Sequence, residues 1–189
     1  MHNKITTLLL LFVCSTGLFA QQPNLVKNGQ FVAGTEGWEV LLNDANQPIK
    51  ARIEQGSSYK EYGLADNFIG TNFVELDEKS AIQQKITTKV GEMHTLSFAY
   101  THRPDAGNKQ FIVAINGKAV YTSTVKNASG MGAFIYKNVS FKATEPISKI
   151  AFYTVSLAGE ADKGVLLTDI HCEQVVEGES LDQFSDIKY

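Results

Sequence analysis

Two carboxylates stand two residues apart in the run Phe73-Val74-Glu75-Leu76-Asp77, and paired carboxylates are the equipment of glycoside hydrolysis. On an extended strand residues i and i+2 share a face, which brings the two carboxyls within about 7 Å of each other. That lies inside the roughly 5–10 Å such chemistry uses. Neighbouring side chains on one strand rarely flank a sugar from opposite sides, however, and acid–base work requires that geometry first. The pair reads more simply as part of a polar sheet face, or as acceptors for loop amides. Asp169, His171 and Cys172 form a second cluster, with Asp169 and His171 on one strand face and Cys172 on the other. A zinc site needs about four converging ligands, and outside the N-terminal segment only His94 and His102 remain to help. There is no HExxH, CxxC or GxSxG pattern, and no base is placed by spacing beside a serine or cysteine. The expectation is a protein that is not an enzyme.

Binding a polysaccharide or glycan needs other parts: aromatic faces to lie against sugar rings, and planar polar groups that fork onto hydroxyls. Two stretches carry them. Gly56-Ser57-Ser58-Tyr59-Lys60-Glu61-Tyr62-Gly63 offers two aromatics among polar residues, and Thr101-His102-Arg103-Pro104-Asp105 offers a guanidinium kept extended by the proline that follows it. Tyr59, Tyr62, His102, Arg103 and Asp105 are therefore the expected ligand-binding residues, meeting at a rim of the fold. A structural reading stands beside it: Arg103 pairs with a local acid and the tyrosines pack on an edge. Trp38, the single tryptophan, is expected in the core.

The elements that must position these residues are strands. Leu96, Phe98 and Tyr100 alternate with Thr95, Ser97 and Ala99; Phe111, Val113 and Ile115 repeat the period, as do Ile150 with Phe152 and Phe134 with Tyr136. Period-two alternation over such lengths means half-buried strands. Asn116-Gly117 between two such runs predicts a two-residue hairpin. Apart from a short candidate helix over Tyr59–Asp66, no window keeps a helical period. Many short strands without helices to cover a parallel sheet imply an all-β, antiparallel two-sheet β-sandwich.

Residues 1–20 carry one lysine ahead of an apolar run and end Leu18-Phe19-Ala20, the plan of a secretory signal cleaved after Ala20. The run is too short for a membrane span, and Val13 stands where a lipid-anchor signal at Cys14 wants a small residue. The expected location is secreted, periplasmic or extracellular, with no transmembrane segment. Residues 21–176 make one domain, and 177–189 an acidic tail without alternation. Loss of the signal leaves Cys172 as a lone cysteine, expected buried as a small hydrophobe. A formal net charge of −3, with no basic stripe, argues against nucleic acid.

The start Asn24-Leu25-Val26-Lys27-Asn28-Gly29-Gln30-Phe31 with Gly37-Trp38 resembles the first strand of the galactose-binding-domain-like jelly-roll superfamily. Asn72–Asp77, Ile82-Gln83-Gln84, Thr95–Phe98 and Arg103-Pro104 are similar to one branch of it. That branch holds secreted carbohydrate-binding-type modules and plant cell-wall proteins built on a domain of unknown function. Leu166-Leu167-Thr168-Asp169-Ile170 resembles the closing strand. The resemblance implies a sandwich of jelly-roll type and a secreted, non-catalytic carbohydrate-binding module; the alternative is a structural or adhesive envelope or matrix protein that binds other proteins. No cofactor is required, but the resemblance implies a structural calcium on Asp169 and carbonyls near Asn28–Phe31. In the family a Glu follows the Asn-Gly-x-Phe run, and here that place is Val32. Calcium wants six to eight oxygens, carboxylates among them.

Overall fold

The structure, a computed structural model, describes residues 22–41, 52–54, 60–65, 71–77, 80–104, 106–125, 132–158 and 163–176. The expected export signal (1–20) and acidic tail (177–189) lie outside the described residues, as do Tyr59 and Asp105. The described strands are β1 (Glu39–Leu41), β2 (Arg52–Glu54), β3 (Phe73–Leu76), β4 (Ala81–Thr87) and β5 (Met93–His102), followed by β6 (Asn108–Ile115), β7 (Lys118–Val125), β8 (Ile135–Lys142), β9 (Ile147–Ala158) and β10 (Val165–Gln174). They form two five-stranded sheets, in the orders β1-β4-β9-β6-β7 and β2-β3-β10-β5-β8, and every pairing is antiparallel. Between successive described strands the chain stays within one sheet only from β2 to β3 and from β6 to β7, and otherwise passes from one sheet to the other. This is the jelly-roll sandwich.

Alternation decides what fills it. Leu96, Phe98 and Tyr100 of β5 face Phe111 and Val113 of β6 and Phe152 of β9 in one core with Trp38, Val165, Leu167 and Cys172. Phe98 meets Phe111, Phe152 and Tyr121 edge-on, with ring centroids 6.0, 5.5 and 5.6 Å away, an arrangement that satisfies the ring quadrupoles. Asn116 and Gly117 both take positive φ, 50° and 80°, as the two-residue β6–β7 hairpin requires. No helix occupies the described part of the 59–66 stretch. Residues 60–63 turn, and Leu64 makes an isolated parallel bridge to Gly132.

That turn explains a second, smaller core. Tyr62, Leu64 and Phe134 lie on the outer face of the β2-β3-β10-β5-β8 sheet, over Phe73, Ala99 and Leu166. Phe134 and Tyr136 do share a face, but it is this outer one. The turn covers Phe134 and stops short of Tyr136, which is 64% exposed.

The N-terminal segment closes the other side. Asn24 Oδ1 accepts from the amide of Cys172 at 2.9 Å, and Gln84 holds Lys27 from both sides, accepting from its amide and donating to its carbonyl. Gly29 is obligatory, because a Cβ there would collide with the Ile170 carbonyl. The glycine lets the segment approach β10 closely enough for the Ile170 amide to donate to the Gly29 carbonyl at 3.0 Å.

Candidate functional site

Of the five residues expected to bind a ligand, the structure describes three, and it brings two together. The Arg103 guanidinium lies 4.4 Å from the centroid of the Tyr62 ring. Tyr62 is only 2% exposed, and Phe73 meets its ring edge-on at 5.1 Å. Arg103 Nη1 reaches both oxygens of Glu75 at 3.4 Å, and Nη2 donates to the Glu61 carbonyl. His102 is half-buried at the end of β5. The pair meets facing into the protein: Tyr62 is buried, and Arg103 fastens the 60–65 turn to β3. Tyr59 and Asp105 lie outside the described residues.

Glu75 is buried, and its Oε1 accepts from the Gly164 amide at 2.9 Å as well as from Arg103. A carboxylate enclosed in this way cannot flank a sugar bond with Asp77; it accepts from a loop amide and a guanidinium instead. Cys172 is buried too. Burial first, then the neighbouring Glu173 charge, pushes its thiol up to about 12, so it is neither a ready nucleophile nor a metal ligand at neutral pH.

The open half of the same outer face is different. β5 registers Ala99 against Tyr136, Ser97 against Asn138 and Thr95 against Ser140. On its other side β5 sets Ser97 against His171 and Thr95 against Glu173. With Leu96, Phe98 and Tyr100 committed to the core, these partners share the outer face. They form a polar field crossed by one exposed aromatic. His171 Nε2 lies 3.2 Å from Glu173 Oε2. The covered half, under Tyr62, Leu64 and Phe134, walls off one end of the field.

Asp169 stands where the field meets the N-terminal segment. The β10–β5 register slips between Thr168 and His171, and Asp169 sits in that bulge at φ +52°, in the left-handed region that a short polar side chain tolerates best. Its Oδ1 accepts from the Gln30 amide nitrogen at 2.9 Å, and its Oδ2 from the Tyr136 hydroxyl at 3.5 Å. Burial, then the Asp169 carboxylate, raises the Tyr136 phenol above its ordinary value. Two clefts flank this hub. One, of about 370 Å³, is lined by residues including Asn24, Asn28, Gln30 and His171. The other, of about 270 Å³, is lined by Gln30, Val32, Thr71, Asn72, Thr168 and Asp169.

The implied calcium can be tested against these oxygens. Among the described residues no three His, Cys, Asp or Glu side chains converge. The Asn28 carbonyl already accepts from Phe31 N and from the Trp38 indole, and the Gly29 carbonyl from Ile170 N. Asn28 Oδ1 accepts from Ala33 N, and Val32 supplies no oxygen. One carboxylate with a donor on each oxygen, among carbonyls already engaged, does not fit the six to eight free ligands of calcium.

Tyr136 is the residue that sequence reasoning missed. Its signal was the phase of Ile135-Tyr136-Lys137-Asn138-Val139-Ser140-Phe141: Tyr136 alternates in step with Asn138 and Ser140, not with Val139 and Phe141.

No family model matches the sequence. Over 136 residues the chain is 26% identical to the multifunctional-autoprocessing repeats-in-toxin of Vibrio cholerae, a match covering 70% of this chain and 3% of the toxin. The chain therefore spans a very small part of that relative's length. Among solved structures, a cyclase from Fischerella sp. TAU superposes with a TM-score of 0.56 at 13% identity, covering 79% of this chain and 95% of the cyclase. TmCBM61, solved with beta-1,4-galactotriose, superposes at 0.52 and 16% identity, covering 81% and 99%. Both likenesses show the jelly-roll fold. One neighbour is an enzyme and one binds a sugar, so function has to be argued from the site.

Proposed function

We propose that the chain is an exported, non-catalytic carbohydrate-binding module that holds a polysaccharide along the open half of the β10-β5-β8 outer face. One observation carries the reading: Tyr136, on the edge strand β8, keeps its ring largely in solvent beside a polar field, with its hydroxyl turned toward Asp169 at 3.5 Å. A tyrosine ring fixed in this way presents an apolar face at little entropic cost, while its rim stays wet. Asn138, His171 and Glu173 on the sheet, with Gln30 and Asn72 at the clefts, supply planar donors and acceptors for hydroxyls. The field is flat and shallow, which suits a sugar chain better than a small molecule needing enclosure.

A second reading has its own observation. Ile147, Val155 and Leu157 of β9 are exposed on the outer face of the other sheet, which favours a structural or adhesive protein whose partner is another protein.

Affinity gels containing soluble polysaccharides test the proposal. A site of this kind binds near millimolar, about −4 kcal/mol. Loss of a stacked ring, about 1 kcal/mol beyond its buried area, carries binding out of the detectable range. Tyr136→Ala should run unretarded with its melting temperature kept. If it is retarded like wild type, the sugar lies elsewhere, and the His102–Arg103 end is the next place to examine. If no polysaccharide retards the wild-type protein and a glycan array is blank, the second reading takes over.

A further inference from the structure

We propose that the Gln30 side-chain amide occupies the place a cation would take, so that the bulge of β10 is fastened to the N-terminal segment without metal and the fold is indifferent to calcium. Three non-glycine residues with left-handed backbone meet here: Asn28 and Phe31 in the segment, at φ 51° and 53°, and Asp169 in the bulge. Such conformations persist only where the surroundings hold them. The structure shows what holds them. Asn28 ties its own turn through Gly34 O and Ala33 N, Ile170 N binds Gly29 O, and Gln30 Nε2 donates to Asp169 Oδ1. The last is a charge-assisted side-chain link between segment and bulge.

The orientation of the amide follows from chemistry. An amide oxygen 2.9 Å from a carboxylate oxygen would set two acceptors against each other, so the nitrogen faces Asp169. The N–H then supplies the positive pole that a metal ion supplies elsewhere. A cation could enter only if the amide turned over, and it would gain a single carboxylate. Val32, 69% exposed beside both clefts, adds no second one. This inference does not depend on the sugar site and would survive its failure.

The test is the melting temperature of the full chain in chelator and in millimolar calcium, with a calorimetric calcium titration, for wild type, Gln30→Ala and Gln30→Glu. Wild type should melt at one temperature in both solutions and give no saturable heat. Gln30→Ala should melt several degrees lower in both, since calcium cannot replace the lost link. Gln30→Glu sets two carboxylates face to face; it should melt low in chelator and recover in calcium, with saturable binding. A wild-type melting temperature that falls on chelation, or a saturable wild-type titration, overturns the proposal. So does Gln30→Ala melting with wild type, or Gln30→Glu that ignores calcium, because Gln30 then does not stand at the cation's position.

Discussion

Replacing Arg103 by alanine separates a structural role from a ligand-binding one. Among the described residues the guanidinium touches the buried Glu75 carboxylate at 3.4 Å, the Tyr62 ring at 4.4 Å and the Glu61 carbonyl at 3.4 Å. Removing one member of a buried ion pair typically costs about 3–5 kcal/mol, because the other charge stays desolvated. Arg103 keeps 20% of its side chain exposed, and Gly164 N still donates to Glu75, so the lower end applies, about 3 kcal/mol. For a chain of this size each kcal/mol moves the melting temperature by about 2–4 °C, which gives a fall of roughly 6–12 °C. Urea unfolding followed by fluorescence of Trp38, the single and buried tryptophan, measures the loss directly. Arg103→Met with Glu75→Leu removes both charges but leaves the buried Gly164 amide without its acceptor, so it should recover only part of the loss. A single-mutant loss below about 1 kcal/mol would refute the reasoning. If polysaccharide binding vanished at the same time, Arg103 would be a ligand contact after all.

Cys172 should label slowly in the folded protein and completely in denaturant; rapid labelling of the native state would place it at the surface. Its thiol is raised from 9.0 to about 12, and burial raises the Tyr100 phenol from 10.0 to about 12. In both groups the folded state favours the neutral form, so their contribution is complete below about pH 9 and is lost as pH climbs towards 12. At about 1.4 kcal/mol per pH unit of that gap, Cys172 alone accounts for about 4 kcal/mol; Cys172→Ala should flatten the alkaline limb of a stability–pH curve, and an unchanged limb would count against this. Gly164→Ala should unfold the protein or cost several kcal/mol, since the new Cβ would meet the Leu76 carbonyl. Gly117→Ala, at φ +80° with open space around it, should cost only about 1 kcal/mol, and equal losses in thermal melts would contradict the geometry.

What the sequence made legible followed from local rules. The alternation of Leu96, Phe98 and Tyr100 defines β5 whatever lies opposite, and Asn116-Gly117 specifies its hairpin with no outside help. What it hid depended on partners far along the chain. Glu75 could be read as an acceptor for loop amides, but nothing near it reveals that Arg103 and Gly164 will be the groups that enclose it. Tyr62 and Arg103 have the composition of a ligand loop, and only the fold shows the turn lying down on the sheet and burying the ring. The face of Tyr136 was readable from its own strand, but which face becomes open depends on where residues 60–65 stop. The bulge at Asp169 has no sequence signal at all, being a register slip between two strands.

The choice between a binding module and an enzyme turns on what the acids are doing, since a cyclase shares the fold. General acid or base work needs a carboxyl or imidazole whose proton can reach a substrate. Glu75 is sealed beneath Arg103, Asp169 accepts from Gln30 and Tyr136, and Glu173 is held by His171. The Glu75 engagement orders the interior, and the Asp169 and Glu173 contacts order the surface. Asp169 in particular draws the Tyr136 hydroxyl down onto the sheet and so fixes how the ring is displayed. A field of restrained side chains around an exposed aromatic face is preorganised for holding a ligand. This suits the proposed binding reading, and it gives Asp169 a double duty: it joins the N-terminal segment to the closing strand, and it orients the Tyr136 ring. Asp169→Asn, which keeps an acceptor oxygen but loses the charge, should therefore weaken polysaccharide retardation and lower the melting temperature together. Tyr136→Phe, which leaves the Gln30 link intact, should weaken retardation alone; if both variants changed only stability, the tyrosine's tether would have no part in binding.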